Sequence, residues 1–455
     1  MPMYPGRAAA VDSEWLERRC REAGLRSVER TLAGMIRDGE LPQGTRLPTI
    51  RETARLLGLS PGTIAAIWKR LGEDGLIETN RRGGTIVLEA RRQSPEVRFL
   101  DDWMSFDLAH GGPDPKLQPE FEEAMLAGLK SRNLPSPPRE TITAQLIDAV
   151  APTWPFAPES WSTTGGGTEG IYLALEAVAN GRPIAVEQPT SPRLVEAIHT
   201  LGLRAIAVQW DKDGPEIASL REALSQGPAA FIYQPRAHLP TGRSVTPDRM
   251  SQMVECFRQY LGVDILEDDG LGPLSTSSVG SLGSHFPERV LYVRTYCKAY
   301  GIDLKVCVVG GSRRLVQRVN LGRSHGTGIT SRILQGALAH LLGSSASEKQ
   351  IRAAQRRYTS RRTMLANAIR EHGLEVDGDA GFLLWLPVPD EAAALVNLSS
   401  RGIAAGPGSH CCVVPARQGH LWLTTSRIPE NRKLVAELAS IIATSVSGTG
   451  VRGYD

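Results

Sequence analysis

The sequence has little cysteine and no long apolar run, and each scarcity removes a class of protein. The six cysteines in 455 residues (Cys20, Cys256, Cys297, Cys307, Cys411 and Cys412) show no metal-ligand spacing. That argues against a zinc module or a disulfide framework, so reduced thiols packed in cores are expected. No stretch approaches the roughly 18 apolar residues of a membrane-spanning helix. Residues 1–11 hold no apolar core of the kind a secretory leader has, so the expected compartment is the cytoplasm. Internal repeats and low-complexity tracts are also missing. What remains is an ordinary globular composition, 41% hydrophobic and 22% charged, at a length that calls for two or more domains.

The net charge of +3 is unevenly spread. From Arg18 to Arg82 there are thirteen Lys or Arg against eight Asp or Glu, a local net of +5, leaving about −2 for the rest. A basic segment on a near-neutral body suits contact with a polyanion.

That segment reads as three helices and a hairpin. Residues 25–38 place Val28, Leu32 and Met35 or Ile36 on one helical face, and Gly39 stops the run. Thr49 is the expected N-cap of a helix over 50–57. Gly58-Leu59-Ser60 turns into a helix over 61–74, with Ser60 as N-cap and Pro61 at its first position. Short strands at 76–78 and 85–87 flank the Gly-rich turn 80–84. This is winged-helix order. Sequence is read by side chains at base edges, and affinity comes from cations at phosphates. The expected DNA-contacting residues are Arg46, Arg51, Ser60, Thr63, Lys69, Arg81, Arg82 and Gly84. Arg81 and Arg82 are expected at the wing tip.

Residues 88–105 are polar and aperiodic and read as a linker. From about Phe106, short apolar strands (184–186, 205–208, 230–233, 263–266, 290–293) alternate with helical stretches such as 170–179 and 193–201. This predicts βαβ units and a mostly parallel sheet. One long helical stretch is expected from about Thr330 to Glu371, then strands near 382–386 and 421–425. The fold class expected is α/β, with domains at 18–87 and 106–455.

Three features of the second domain carry chemistry. Gly165-Gly166-Gly167-Thr168-Glu169-Gly170 runs into an apolar helix, and a helix start receives phosphate on its free amides. Glu267-Asp268-Asp269 follows a strand, at the end where such sheets bind ligands. Lys298 follows the next strand. Chemistry with pyridoxal phosphate needs a lysine, a carboxylate for the ring nitrogen and a phosphate cradle.

The segment GELPQGTRLPTIRETARLLGLSPGTIAAIWKRLGEDGLIETNRRGGTIV resembles the GntR-type winged helix, through Arg46, Leu47, Pro48, Arg51, Ser60, Thr63, Gly84 and Thr85. Gly62 departs from that pattern, which commonly has a polar residue there. The ordered landmarks GGGTEG, QPRAHLPTG, LEDDGLG and RTYCKAYGIDLKVCVV resemble fold-type-I aminotransferases over about residues 106–440. The combination resembles the MocR subfamily of regulators. The resemblance implies pyridoxal 5'-phosphate attached at Lys298, with Asp268 facing the ring nitrogen. It puts Thr168 and Glu169 on the phosphate loop, and makes Thr295 and Lys305 further phosphate contacts.

Several supporting groups of the family are replaced. Leu239 stands for the polar residue before Pro-Thr-Gly, Gly270 for an aromatic after the acidic pair, and Ser191 for the ring-stacking aromatic. Leu134-Pro135-Ser136-Pro137 replaces a Tyr-Gly segment. Trp422 stands where aminotransferases keep the substrate-carboxylate arginine, and Arg427 is out of register. Three functions follow as alternatives. One is a regulator of a double-stranded DNA operator, a homodimer, sensing a small-molecule effector through pyridoxal phosphate without turnover. The others are a regulator whose degenerate pocket takes no pyridoxal phosphate, and a catalytic aminotransferase.

Overall fold

A computed structural model describes residues 13–22, 28–37, 40–42, 44–73, 76–80, 84–88, 106–131, 134, 140–324, 326 and 328–447. The chain divides into two compact units, Met1–Phe99 and Leu100–Asp455. Among the described residues no helix is long and apolar enough to cross a membrane.

The first unit comprises α1 (Ser13–Glu22), α2 (Val28–Arg37), β1 (Arg46–Leu47), α3 (Ile50–Leu57), α4 (Pro61–Glu73), β2 (Ile77–Asn80) and β3 (Gly84–Val87). Leu32, Ile36, Leu57, Ile64 and Leu71 meet in one core, the set expected from helical spacing. α1 starts at Ser13, ahead of the expected boundary at residue 18, because Leu16 and Cys20 complete that core. Thr49 and Glu52 close a reciprocal capping box on α3. Gly58 ends the helix at φ +66, a conformation that favours glycine. The sheet order is β1-β3-β2, so the Arg46–Leu47 strand, not foreseen, adds a third strand to the wing.

The second unit opens with β4 (Phe106–Asp107), α5 (Glu122–Leu129) and α6 (Ala144–Val150). Strands and helices then alternate: β5 (Ser160–Thr164), α7 (Gly167–Val178), β6 (Ile184–Gln188), α8 (Pro192–Thr200), β7 (Ala205–Gln209), α9 (Ile217–Ser225), β8 (Ala230–Tyr233) and α10 (Pro247–Phe257). Next come β9 (Asp264–Asp269), β10 (Val290–Thr295), α11 (Cys297–Tyr300), β11 (Cys307–Gly311) and α12 (Arg313–Ser324). After α13 (Arg332–Gly343) and α14 (Ser345–Glu371), the chain ends in β12 (Leu383–Val388), α15 (Glu391–Ser399), β13 (Ile403–Ala404), β14 (Gly406–Pro407), β15 (Gly419–Thr424) and α16 (Arg432–Val446).

The seven-stranded sheet has the order β5-β11-β10-β9-β8-β6-β7. All pairings are parallel except those of β11, which runs antiparallel to both neighbours. Apolar residues from α7, α12 and the sheet fill one core, and α9, α10 and the sheet another. Six strands therefore deliver their C-terminal ends to one edge, and β11 starts there. β5 and β11 were not among the expected strands. Ser-Trp-Ser-Thr-Thr reads as polar turn sequence, yet Ser162, Thr163 and Thr164 are buried beside β11. The single long helix expected after Thr330 is broken at Ser344, whose hydroxyl accepts from the Ser347 amide at 3.3 Å and starts α14.

Candidate functional site

On the first unit, α4 turns a polar face outward. Gly62, Thr63, Ala66, Lys69 and Arg70 are exposed, opposite buried Ile64, Ile67 and Leu71. Ser60 caps the helix: its hydroxyl accepts from the Thr63 amide at 3.0 Å and lies 2.8 Å from the Thr63 hydroxyl. The opening turn is thereby fixed, and Thr63 is held rather than able to swing. Arg70 is tied to Glu29 at 2.6 Å. Arg51 on α3 and Lys69 are exposed cations flanking the turn. Arg46 in β1 lies against Gly84, which needs its φ of +78 to start β3. Arg81 and Arg82 lie outside the described residues. A small-residue helix face with cations at its rim fits a major groove, with affinity drawn from phosphates.

On the second unit, three connections meet at the C-terminal edge of the sheet. The first is the loop from β5 into α7. Gly166 takes φ +115, and a Cβ on Gly167 would stand 2.2 Å from the Thr295 hydroxyl. Only a bare backbone can lie that close to β10. Thr168 is exposed at the first turn of α7. Among the described residues the amides of Gly167, Thr168 and Glu169 and the Thr168 hydroxyl have no hydrogen-bond partner. Lys305 sits at φ +47 in the β10–β11 connection, its side chain 3.9 Å from the position a Gly166 Cβ would take. Free helix-start amides, two hydroxyls and an ammonium group are donors of the kind that could hold a phosphate. Glu169 has another task. Its carboxylate accepts from the Gly165 amide and pairs with Arg323, bracing the loop rather than facing a phosphate.

The second connection follows β9. Asp268 and Asp269 are adjacent and opposite in kind. Asp269 is wholly buried and accepts from Arg236 at 3.0 and 2.8 Å, Arg294 at 2.8 Å and the Tyr292 hydroxyl at 2.9 Å. Burial opposes its charge, but the two guanidiniums win and hold its carboxyl at about 2. Asp268 is 7% exposed and has no hydrogen-bond partner among the described residues. Burial pushes its carboxyl up to about 7 against the pull of Lys298. A buried carboxylate with no donor is costly unless a cation meets it.

The third connection carries Lys298 on α11. Its ammonium donates to the Gly270 carbonyl at 2.8 Å. Burial pushes the amine down, Asp268 pulls it up and the charge of Arg193 pushes it further down. Pyridoxal phosphate fits this set, by the cradle that a Cβ would fill and by the donorless carboxylate.

The structure also brings in residues the sequence reading passed over. Glu187, wholly buried at the end of β6, accepts from the Gln234 amide at 2.8 Å and lies 3.3 Å from His238. Its second oxygen and the Thr190 hydroxyl are buried with no partner. His238 stacks on Trp210 and reaches the Pro189 carbonyl at 3.0 Å. The signal for Glu187 was an acid inside an apolar strand. Ser191 is the N-cap residue of α8 but makes no side-chain cap bond. Gly270 brings no side chain, and its carbonyl accepts from Lys298. Trp422 packs its ring where a Cβ on Gly406 would be, and Arg427 is exposed, donating to the Pro113 carbonyl at 3.3 Å. Pro135, Ser136 and Pro137 lie outside the described residues.

Comparison with known proteins agrees with both units. The model of the class I and II aminotransferases matches residues 97–437, and that of the bacterial regulatory proteins of the gntR family matches residues 25–87. The vitamin B6 salvage pathway transcriptional repressor PtsJ of Salmonella typhimurium is 26% identical over 88% of this chain and 94% of its own. The HTH-type pyridoxine biosynthesis transcriptional regulator PdxR of Corynebacterium glutamicum is 23% identical over 83% of this chain and 86% of its own. Among solved structures, the alpha-aminoadipate aminotransferase LysN of Thermus thermophilus superposes with a TM-score of 0.69 at 19% identity, over 78% of this chain and 95% of that one. The Pyrococcus horikoshii kynurenine aminotransferase gives 0.68, also at 19%, over 76% and 91%. The chain belongs to the class I and II aminotransferase family, in the form of the MocR-type transcriptional regulators: a GntR-type winged helix-turn-helix followed by a fold-type-I aminotransferase-like domain.

Proposed function

We propose that this regulator senses a small-molecule effector through pyridoxal phosphate held at Lys298. The observation that carries the reading is the cradle: unpartnered amides at the start of α7 lie against Thr295 and Lys305, with Lys298 and a donorless Asp268 beyond. Thr168, Thr295, Lys305 and the α7 amides would hold the phosphate. Asp268 would keep a proton on the ring nitrogen, and that pairing would relieve its buried charge. When bound, the cofactor supplies an electrophile and electron sink beside the lysine. The names of two relatives, both tied to vitamin B6, support a B6 vitamer as ligand.

The same pocket argues against turnover. Ser191, Leu239 and Gly270 offer no stacking surface or polar side chain of the family's kind to the ring. Trp422 brings no cation for a substrate carboxylate. A preorganised site needs such supports. The winged unit binds operator DNA as a cytoplasmic homodimer, two copies reading paired half-sites. The domain limits follow as 13–87 and 106–455, the first starting five residues ahead of the expected 18, with 88–105 between them.

The test is titration of the purified protein with pyridoxal phosphate, borohydride reduction and peptide mapping. Label at Lys298, lost in Lys298→Ala, is expected. No label at any concentration refutes the sensor reading and leaves the regulator without this cofactor.

A further inference from the structure

Arg70 stands on the same row of α4 as Gly62 and Ala66, at four-residue steps, so it belongs to the exposed face of that helix. It lies in the last turn, nine residues beyond Pro61, which is about 13 Å along the axis. A major groove is about 12 Å wide. A helix that enters a groove by its first turn therefore faces bases with its opening residues and brings Arg70 to the phosphate wall.

The guanidinium of Arg70 is held from another helix. Its Nε donates to the Glu29 carboxylate at 2.6 Å, reaching from α4 to the first turn of α2. Val28, Leu32 and Ile36 of α2 share a core with Ile64, Ile67 and Leu71 of α4, so the two helices keep their spacing without this pair. Both side chains stay well exposed, Arg70 at 54% and Glu29 at 38%. An exposed pair of that kind adds little to stability. An acid beside a surface that meets a polyanion also opposes binding. Neither the fold nor the net charge accounts for Glu29, but the geometry does. The bond takes Nε and leaves both terminal nitrogens of the guanidinium, which have no hydrogen-bond partner among the described residues. Those two nitrogens are the ones that can meet two phosphate oxygens in parallel.

We propose that Glu29 is a positioning residue for DNA: it buttresses Arg70, whose terminal nitrogens then form a fixed two-pronged clamp on a backbone phosphate beside the major groove. The inference rests on the reading of α4 as the helix that enters the groove. It adds a phosphate contact that the sequence did not single out, and an acid that works through it.

The experiment uses the full chain and two duplexes, one selected by the wild type from a randomised pool and a scrambled one of the same composition. Wild type, Glu29→Gln, Glu29→Asp, Arg70→Gln and the double variant Glu29→Gln/Arg70→Gln are titrated by fluorescence anisotropy across a salt series. Circular dichroism first checks that each is folded. Arg70→Gln should bind both duplexes about tenfold more weakly, and its slope of log affinity against log salt should fall by about one. Glu29→Gln makes the protein more positive, yet should bind about three- to tenfold more weakly with the slope kept, because the cation stays and only its freedom returns. Glu29→Asp keeps the charge with one methylene less reach and should fall between wild type and Glu29→Gln. In the Arg70→Gln background, Glu29→Gln should cost nothing further. Tighter or unchanged binding in Glu29→Gln overturns the proposal, as does an equal loss with and without Arg70, or an unchanged slope in Arg70→Gln. Unfolding of Glu29→Gln and Glu29→Asp alike would make the pair structural and overturn it too. A wild type that selects no duplex removes the DNA reading itself, whereas selection without an effect of Glu29 removes the buttress alone.

Discussion

Asp268 and Asp269 make the most discriminating pair of substitutions in this molecule, since they are chain neighbours in opposite electrostatic states. Burial raises the Asp268 carboxyl from 3.8 to about 7. At about 1.4 kcal/mol per unit, its ionised form costs the apo fold about 4 kcal/mol. The sign follows from the direction: the folded-state value lies above the unfolded one. The penalty is therefore full above about 7, shrinks as pH falls towards 3.8 and is gone below it. Asp268→Asn keeps the shape and removes the charge. The apo variant should be no less stable than wild type at mildly alkaline pH, gaining up to about 4 kcal/mol, with the gain fading on acidification. Its affinity for pyridoxal phosphate should fall by about 1.5–3 kcal/mol, the loss of one charged hydrogen bond, or roughly ten- to hundredfold. Asp269→Asn should do the reverse. It leaves Arg236 and Arg294 facing a neutral amide in a buried site, at a cost of about 3–5 kcal/mol. Urea unfolding of both apo variants across pH, with spectrophotometric cofactor titration, reads each term. If Asp268→Asn destabilised the apo protein more than Asp269→Asn, the assignment of one carboxylate to ligand and the other to structure would be refuted.

Other outcomes follow from single features. Gly167→Ala puts a methyl group 2.2 Å from the Thr295 hydroxyl, so cofactor affinity should fall about tenfold or more while the winged unit still binds DNA, as a paired titration and gel-shift would read. Arg51→Ala should weaken DNA binding across all sequences and reduce the slope of log affinity against log salt by about one; an unchanged slope would remove Arg51 from the interface. Thr49→Ala breaks the capping box of α3 and should cost about 1 kcal/mol, read as faster hydrogen exchange of α3 amides; unchanged exchange would contradict the cap's role. Mixing the holoprotein with common amino acids and 2-oxoglutarate should yield no amino transfer, and sustained turnover would contradict the role given to Trp422.

The winged unit was legible almost residue by residue, since caps and glycines are local signals: Thr49, Ser60 and Gly58 all act where the sequence puts them. α1 was missed because Leu16 and Cys20 alone give too little periodicity to set it apart. In the large unit the apolar parallel strands announced themselves. β5 and β11 did not, because polar and glycine-rich strands gain their burial from neighbours far away in sequence. The residues proposed for the cradle, with Asp268 and Lys298, were singled out through ordered motifs, and the fold brings them to one edge of the sheet. Glu187, His238 and Arg236 were not, because a buried ionisable group is defined by partners that only the fold brings near. The break at Ser344 escaped notice because the apolar pattern runs on across it.

The antiparallel course of β11 bears on the order in which the cradle is assembled. β10 and β11 are joined by a short return that carries Lys298 and Lys305, so this pairing closes a small loop. β5, which delivers the glycine loop, pairs with β11 from the far end of the sheet's sequence, Thr164 opposite Cys307. Closing so large a loop costs more entropy, and contacts of this separation form late. Sequence separation therefore favours an order in which the lysine is in position before the glycine-loop amides arrive, and the two halves meet only in the completed sheet. A ligand that needs both binds the native state alone. By mass action it then stabilises this unit, by about 2.7 kcal/mol at a free concentration a hundred times its dissociation constant. On the proposed reading, the supply of cofactor would thus add to the stability of newly made chains, before any message reaches DNA.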